Sequence, residues 1–283
     1  MAGRLIQAGH DITAYNRTPS KAQVLIDQGA HVAAGVADVC QDDVVITMLA
    51  DDNAVEKVVL GENGVLQNLG ERTIHVSMST TGLALSKKLA DAHVTAGRRF
   101  IAAPVFGRPN IAAQGKLFII AAGELDIIDV CMPLFDAMGQ KTFRIGEVPQ
   151  AANLVKLSGN FITASVMEAL SEAMALIRKG GIDPHRYFEL LTSTIFTCPV
   201  FTNYGEGLAN GKSEAGGFAA SLGEKDIRLA LAAAETLHVP MPLASVVHDR
   251  LQTLIARNDE QVDWSALGQL ATDDAGLFKH TSG

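Results

Sequence analysis

Cysteine is scarce. Three thiols, Cys40, Cys131 and Cys198, stand far apart in 283 residues. They offer neither zinc spacing nor a disulfide framework and are expected to be reduced structural thiols. Cys198, beside Pro199 in a stretch that reads as a loop, is the one to test for reactivity. Basic charge is also short. The formal net charge is −8, and no run of Lys or Arg offsets it, which excludes nucleic-acid binding through phosphate neutralisation. No apolar run reaches the roughly 18–20 residues of a bilayer span, and no charged segment followed by an apolar one opens the chain. The expectation is a cytoplasmic protein without a membrane partner. The histidines have no HExxH-like spacing and no clustered carboxylates, so no metal site is expected. A Gly-x-Ser-x-Gly elbow is missing, which lowers a hydrolase reading. There is no internal repeat or low-complexity segment. Hydrophobic residues at 48% against 19% charged exclude a disordered chain.

What is present centres on residues 149–181. Apolar residues recur three and four apart through Leu154, Leu157, Phe161, Val166, Leu170, Met174 and Ile177. That is the period of a helix with one buried face. At roughly 30 residues it exceeds the usual ~8–20 of a globular helix. Lys156 and Asn160 lie one turn apart on it and share a face.

Before this stretch, strands alternate with helical patterns. Strands are expected at 11–15, 31–33, 44–49, 73–77, 99–102, 117–121 and 142–145, with Pro104–Pro109 as a rigid loop. Such alternation means βαβ units and a mostly parallel sheet, whose ligands bind at the carboxyl ends of its strands. Those ends are Asn16-Arg17-Thr18, Met48-Leu49-Ala50, Ser77–Gly82 and Pro104–Pro109. After the long stretch only helices are expected, near 184–192, 221–237 and 242–257, with a short one at Trp264. The predicted division is a nucleotide-binding domain over 1–148 and an all-helical domain over 149–283.

Several residues carry candidate chemistry. A turn Arg is usually a surface charge. At the end of this strand, Arg17 suits a 2′-phosphate, which a guanidinium grips in two places. Ser79-Thr80-Thr81 reads as an N-cap cluster, or as hydroxyls and amides offered to a ligand anion, and both readings stand. Lys225-Asp226 on a late helix is most often a surface pair. The Gly-x-Gly-x-x-Gly turn of a dinucleotide-binding unit does not precede Asn16. Met1–Ala8 reads as the inside of the helix that would follow such a turn.

In order along the chain, "AGHDITAYNRTPSKA", "VVITMLAD", "VSMSTTG", "AAPVFGRP", "NLVKLSGNFITASVMEALSEA" and "EKDIRLAL" resemble the segments of the β-hydroxyacid dehydrogenases. That family contains 3-hydroxyisobutyrate dehydrogenase and tartronate semialdehyde reductase, with imine reductases as relatives. The resemblance implies an α/β fold: a Rossmann-like doubly wound parallel sheet, here without its first strand, followed by an all-α domain. It implies NADP rather than NAD as cofactor, a small-molecule carbonyl or alcohol substrate, and a homodimer or homotetramer. Carried over by position, Lys156 and Asn160 are catalytic. Asn16, Arg17, Thr18, Met48, Leu49, Thr80 and Lys225 bind the cofactor, and Ser79, Phe106 and Gly107 contact the substrate.

Three departures qualify this. The glycine turn and first strand are expected upstream of Met1, as if the start were placed too far downstream. Phe106 stands where a hydroxyl donor is usual, which puts the usual small hydroxy acid in doubt, and Arg108 either compensates as an anion clamp or faces water. Lys156 is present where many imine reductases replace it, which favours a carbonyl or alcohol. The alternatives are a truncated, non-catalytic chain acting as a dimer scaffold, and an imine reductase.

Overall fold

A computed structural model describes residues 1–211, 217–258 and 261–277. The strands are β1 (Thr13–Ala14), β2 (His31–Val32), β3 (Val44–Thr47), β4 (Ile74–Ser77), β5 (Arg99–Ala102), β6 (Val105–Phe106), β7 (Leu117–Ala122) and β8 (Gly139–Gly146). β1 and β2 form a parallel pair of their own. The other six make one sheet in the order β3-β4-β5-β7-β6, with β8 on the other side of β7. β3, β4 and β5 are parallel in register, Val44 facing Ile74 and Ile74 facing Arg99. The expected Rossmann-like sheet without its first strand takes this form: β1–β2 stand apart from β3–β8. Ile12, Val44 and Ile46 nonetheless pack against one shared core.

Alternation along the strands covers the sheet on both sides. Ile74, Val76 and Ile101 pack with Phe135 and Met138 of the Leu125–Met138 helix. Val45 and Phe100 point the other way, to Val55, Val59, Leu85 and Leu89. Successive side chains of a strand face opposite sides, so a buried strand needs apolar residues at both parities.

Two expectations are corrected. Residues 104–109 are not simply a loop. Val105 and Phe106 form β6, antiparallel to β7, because that pairing takes up the backbone groups of the buried stretch. Gly107 then turns the chain at φ +138°, where a Cβ would come within 2.6 Å of Leu117. The stretch after Cys198 is a helix, Pro199–Asn210, with Cys198 as its N-cap and Pro199 at its start. Gly205 and Gly207 obscure its period in the sequence. Gly205 is required by contact, since a Cβ there would meet the Phe188 ring at 2.3 Å.

The long helix runs Pro149–Lys179. The chain forms two compact units, Met1–Lys156 and Leu157–Gly283. The division falls about two turns inside the helix, because Ala151 and Ala152 pack with Ala102, Ile120 and Ala122 of the sheet. In the second unit, Ala164 and Met167 pack with Ile227, Val247, Leu251, Trp264 and Leu267. Among the described residues this is the one helix long and apolar enough to cross a membrane by length and composition. Its charged Lys156 and Glu168 are buried in the protein's own interior, which reads as a core helix.

A buried polar relay runs behind the sheet. The Leu89 carbonyl accepts from His93 Nδ1 at 2.7 Å, so His93 Nε2 accepts from His75 Nδ1 at 2.9 Å. His75 Nε2 then accepts from the Thr47 hydroxyl at 3.0 Å. One carbonyl thus dictates both tautomers, since a carbonyl only accepts. Burial, then the neighbouring His93, holds His75 well below the usual histidine range. Burial also lowers His93, against its bond to Leu89. Unfolded histidines take protons near pH 6.5 while these stay neutral. Stability present above that pH is therefore lost as pH falls toward the folded values, by up to about 1.4 kcal/mol per pH unit for each histidine. Glu168, raised by burial, acts with the opposite sign in its own range. Denaturant melts between about pH 7 and pH 5 should show the loss, and His75→Gln should flatten it. Equal slopes in the two proteins would refute the assignment.

Candidate active site

The loop after β4 is held on several sides. The Ser79 hydroxyl accepts from the Leu49 amide at 2.8 Å, joining the ends of β3 and β4. The Thr81 amide donates to Asn153 Oδ1 at 3.2 Å. The Gly82 amide donates to the Asp52 carboxylate, 3.2 Å from each oxygen. The N-cap of the Leu83–Thr95 helix is Gly82, with no side-chain cap, so the expected Ser/Thr cap cluster is corrected. Asn153 and Asp52, from other elements, accept from the Thr81 and Gly82 amides. The Thr81 hydroxyl is buried without a hydrogen-bond partner among the described residues.

Lys156 follows on the long helix. It is 9% exposed, and its ammonium stands 4.5 Å from the centroid of the Phe106 ring. The negative face of an aromatic ring attracts a cation, most strongly when water is excluded. β6 positions that ring through the Phe106–Phe118 pairing, and the ring also packs against the small-residue cluster that contains Ala152. Phe106 therefore does more than displace a hydroxyl donor: it supports the ammonium.

In the helical unit, Asn160 Nδ2 donates to Asp226 Oδ2 at 2.5 Å. Asp226 Oδ1 lies 3.1 Å from the Lys225 ammonium, an ion pair rather than an aligned hydrogen bond. Lys225 and Asp226 are 8% and 1% exposed, so the surface-pair reading is corrected. Ile227 and Ala230 bury the same side of their helix, which carries the two charges inward. A carboxylate only accepts, so Asp226 settles which end of the Asn160 amide faces it and turns the amide oxygen away.

Residues 1–146 match the family described as the NAD binding domain of 6-phosphogluconate dehydrogenase, and residues 151–271 match the NAD-binding domain of NADP-dependent 3-hydroxyisobutyrate dehydrogenase. An uncharacterised oxidoreductase of Bacillus subtilis (strain 168) is 42% identical over 268 residues, 94% of this chain and 93% of the relative. Glyoxylate/succinic semialdehyde reductase 1 of Arabidopsis thaliana is 32% identical over 268 residues, 94% and 92% of the two chains. The chain belongs to the β-hydroxyacid dehydrogenase family. It is an NAD(P)-dependent oxidoreductase by class. The crystal structure of 3-hydroxyisobutyrate dehydrogenase from Salmonella typhimurium shares the fold, with a TM-score of 0.84 at 24% identity over 95% of this chain and 94% of that one.

Apart from Lys225, the cofactor residues expected of a β-hydroxyacid dehydrogenase lie at strand ends. Asn16 Oδ1 accepts from the Thr18 amide at 2.9 Å, an Asx turn that leaves Arg17 exposed at its tip. Met48, 55% exposed, and Leu49 follow β3. Thr80 is half-buried in the β4 loop. An exposed guanidinium at a rigid turn and an exposed apolar side chain at a strand end fit the phosphate and ring portions of a dinucleotide. Lys225 is placed in the helical unit, beside Asp226.

Sequence reasoning missed Asn153 and passed over Asp226. Asn153 lies one turn before Lys156 on the same face, a spacing that could have flagged it. Asp226 was visible only as half of a charge pair.

Proposed function

We propose that this β-hydroxyacid dehydrogenase transfers hydride between NADP(H) and an aldehyde or ketone and its alcohol, with Lys156 as general acid and base. The observation that carries the reading is the buried Lys156 ammonium over Phe106, one helical turn before the oriented Asn160 amide. Hydride addition builds negative charge on the carbonyl oxygen. An ammonium at hydrogen-bond distance stabilises that charge and supplies the proton; in the other direction the neutral amine takes it back. Asn160 holds the same oxygen or a neighbouring hydroxyl, and Ser79, Phe106 and Gly107 line the substrate. The bound nicotinamide supplies the hydride. The aromatic face beside the ammonium suits a substrate with apolar surface near its carbonyl, and the similarity to a glyoxylate/succinic semialdehyde reductase supports an aldehyde.

The test is NADPH oxidation by the purified chain with glyoxylate, succinic semialdehyde and longer aliphatic aldehydes. Turnover with an aldehyde is expected. No turnover and no NADPH binding in a calorimetric titration would leave the non-catalytic scaffold standing. Turnover of imines alone would favour the imine reductase.

The preference for NADP rests on Arg17. Arg17→Asp should weaken NADPH by about 1–3 kcal/mol, the worth of charge-assisted bonds, and NADH much less. Paired titrations check this, and equal effects on both cofactors would refute the phosphate role.

We also assign a homodimer or homotetramer in the cytoplasm, with no nucleic-acid or membrane partner. Val155, Ile162 and Leu176 are exposed along one stripe of the long helix, apolar surface that a second copy would cover. Sedimentation should give a dimer or larger and Ile162→Glu should shift it to monomer; a monomeric wild type at micromolar concentration overturns the assignment.

A further inference from the structure

Asn153 has no role in the chemistry above, yet it is 1% exposed and its carboxamide is bonded at both ends. Oδ1 accepts from the Thr81 amide at 3.2 Å, and Nδ2 donates to the Ser86 hydroxyl at 3.1 Å. Thr81 and Ser86 are each 1% exposed. The Thr81 amide lies just before the Leu83–Thr95 helix, and a buried amide requires an acceptor, which a residue from another element supplies. Ser86 lies on the first turns of that helix. Asn153 thus grips both the incoming loop and the helix that follows.

Its own position makes this grip consequential. Asn153 is three residues before Lys156, so the two side chains are neighbours on one face. On the far side of the loop, the Ser79 hydroxyl holds the Leu49 amide. A continuous path therefore runs from the end of β3, through Ser79 and Thr81, to Asn153 and the next turn of the helix. We propose that Asn153 is a positioning residue that fixes the helical turn carrying Lys156 against the Ser79–Gly82 loop. It sets where the ammonium stands relative to the substrate and cofactor residues of that loop. The proposal rests on Lys156 as the proton donor.

A residue that only filled a buried hydrogen-bonding gap would affect stability and nothing else. Asn153→Leu keeps the branched shape, with somewhat greater bulk, and removes both bonds. Asn153→Asp keeps the acceptor for Thr81 and allows the Ser86 hydroxyl to turn and donate. With the full chain, Asn153→Leu should lower kcat about tenfold or more, as displaced catalytic groups do, with substrate KM nearly unchanged. Asn153→Asp should recover most of the loss. Amide exchange of the peptide containing Thr81 should speed up in Asn153→Leu and return in Asn153→Asp. A folded Asn153→Leu with a lower melting temperature but unchanged kcat would overturn the proposal. If Asn153→Leu does not fold, Ser86→Ala, which removes one of the two bonds, is read by the same criteria. If the wild type shows no turnover, the reading of Lys156 fails on its own. Positioning is then read from the rate of reductive methylation of Lys156, followed by peptide mass spectrometry. A several-fold change on Asn153→Leu supports it, and an unchanged rate overturns it.

Discussion

Lys156→Met should lower turnover by about 10²–10⁴-fold, the usual worth of a positioned general acid. Methionine keeps the unbranched stem that packs in this buried place and removes only the ammonium. The Phe106 ring loses its cation, which should cost about 0.5–2 kcal/mol of stability, so the variant should fold. NADPH affinity should hold, because none of the expected cofactor residues lies on this turn. The informative comparison is kcat against the NADPH dissociation constant in one preparation. Carbonyl reduction at the wild-type rate would show that Lys156 is not the acid. Lys156→Arg adds a second test, since it keeps a charge over the ring but presents a planar group that does not release its proton.

The second large effect is expected at Asp226. Its carboxylate faces the Asn160 amide on one oxygen and the Lys225 ammonium on the other. Asp226→Ala removes one partner of a buried ion pair, which costs about 3–5 kcal/mol. It also frees the Asn160 amide to rotate, so activity should fall beyond what the unfolded fraction explains. Asp226→Asn keeps the shape and an acceptor oxygen but loses the charge, and should be intermediate in both respects. Chemical denaturation together with kcat corrected for folded protein checks the two parts. A stability loss under about 1 kcal/mol would mean that the pair is effectively solvated, as surface pairs are.

Much of the fold was readable because its signals are local. The strands at Val44–Thr47, Ile74–Ser77 and Arg99–Ala102, and the helix Pro242–Arg257, announce themselves by apolar period and by Pro at a helix start. β6 did not, and the helix after Cys198 shows the Pro at its start without the apolar period. In the first, pairing with β7 decides the conformation; in the second, two glycines hide the period and a neighbouring ring requires one of them. The candidate site divides in the same way. Lys156 and Asn160 share a face by helix geometry alone. That Lys156 sits over Phe106, that Asp226 is buried rather than solvated, and that Asn153 holds Thr81 are contacts between residues 50, 66 and 72 positions apart.

From its sequence alone this protein is committed to strand–helix alternation, then helices, with a lysine and an asparagine one turn apart on the longest of them. Those features depend on side-chain period and backbone preference, which act over a few residues. Only the tertiary structure decides which charges are buried, which amides the loop after β4 keeps for itself, and which ring supports the ammonium. Desolvation and hydrogen-bond pairing depend on what the rest of the chain brings near, and no local pattern encodes that.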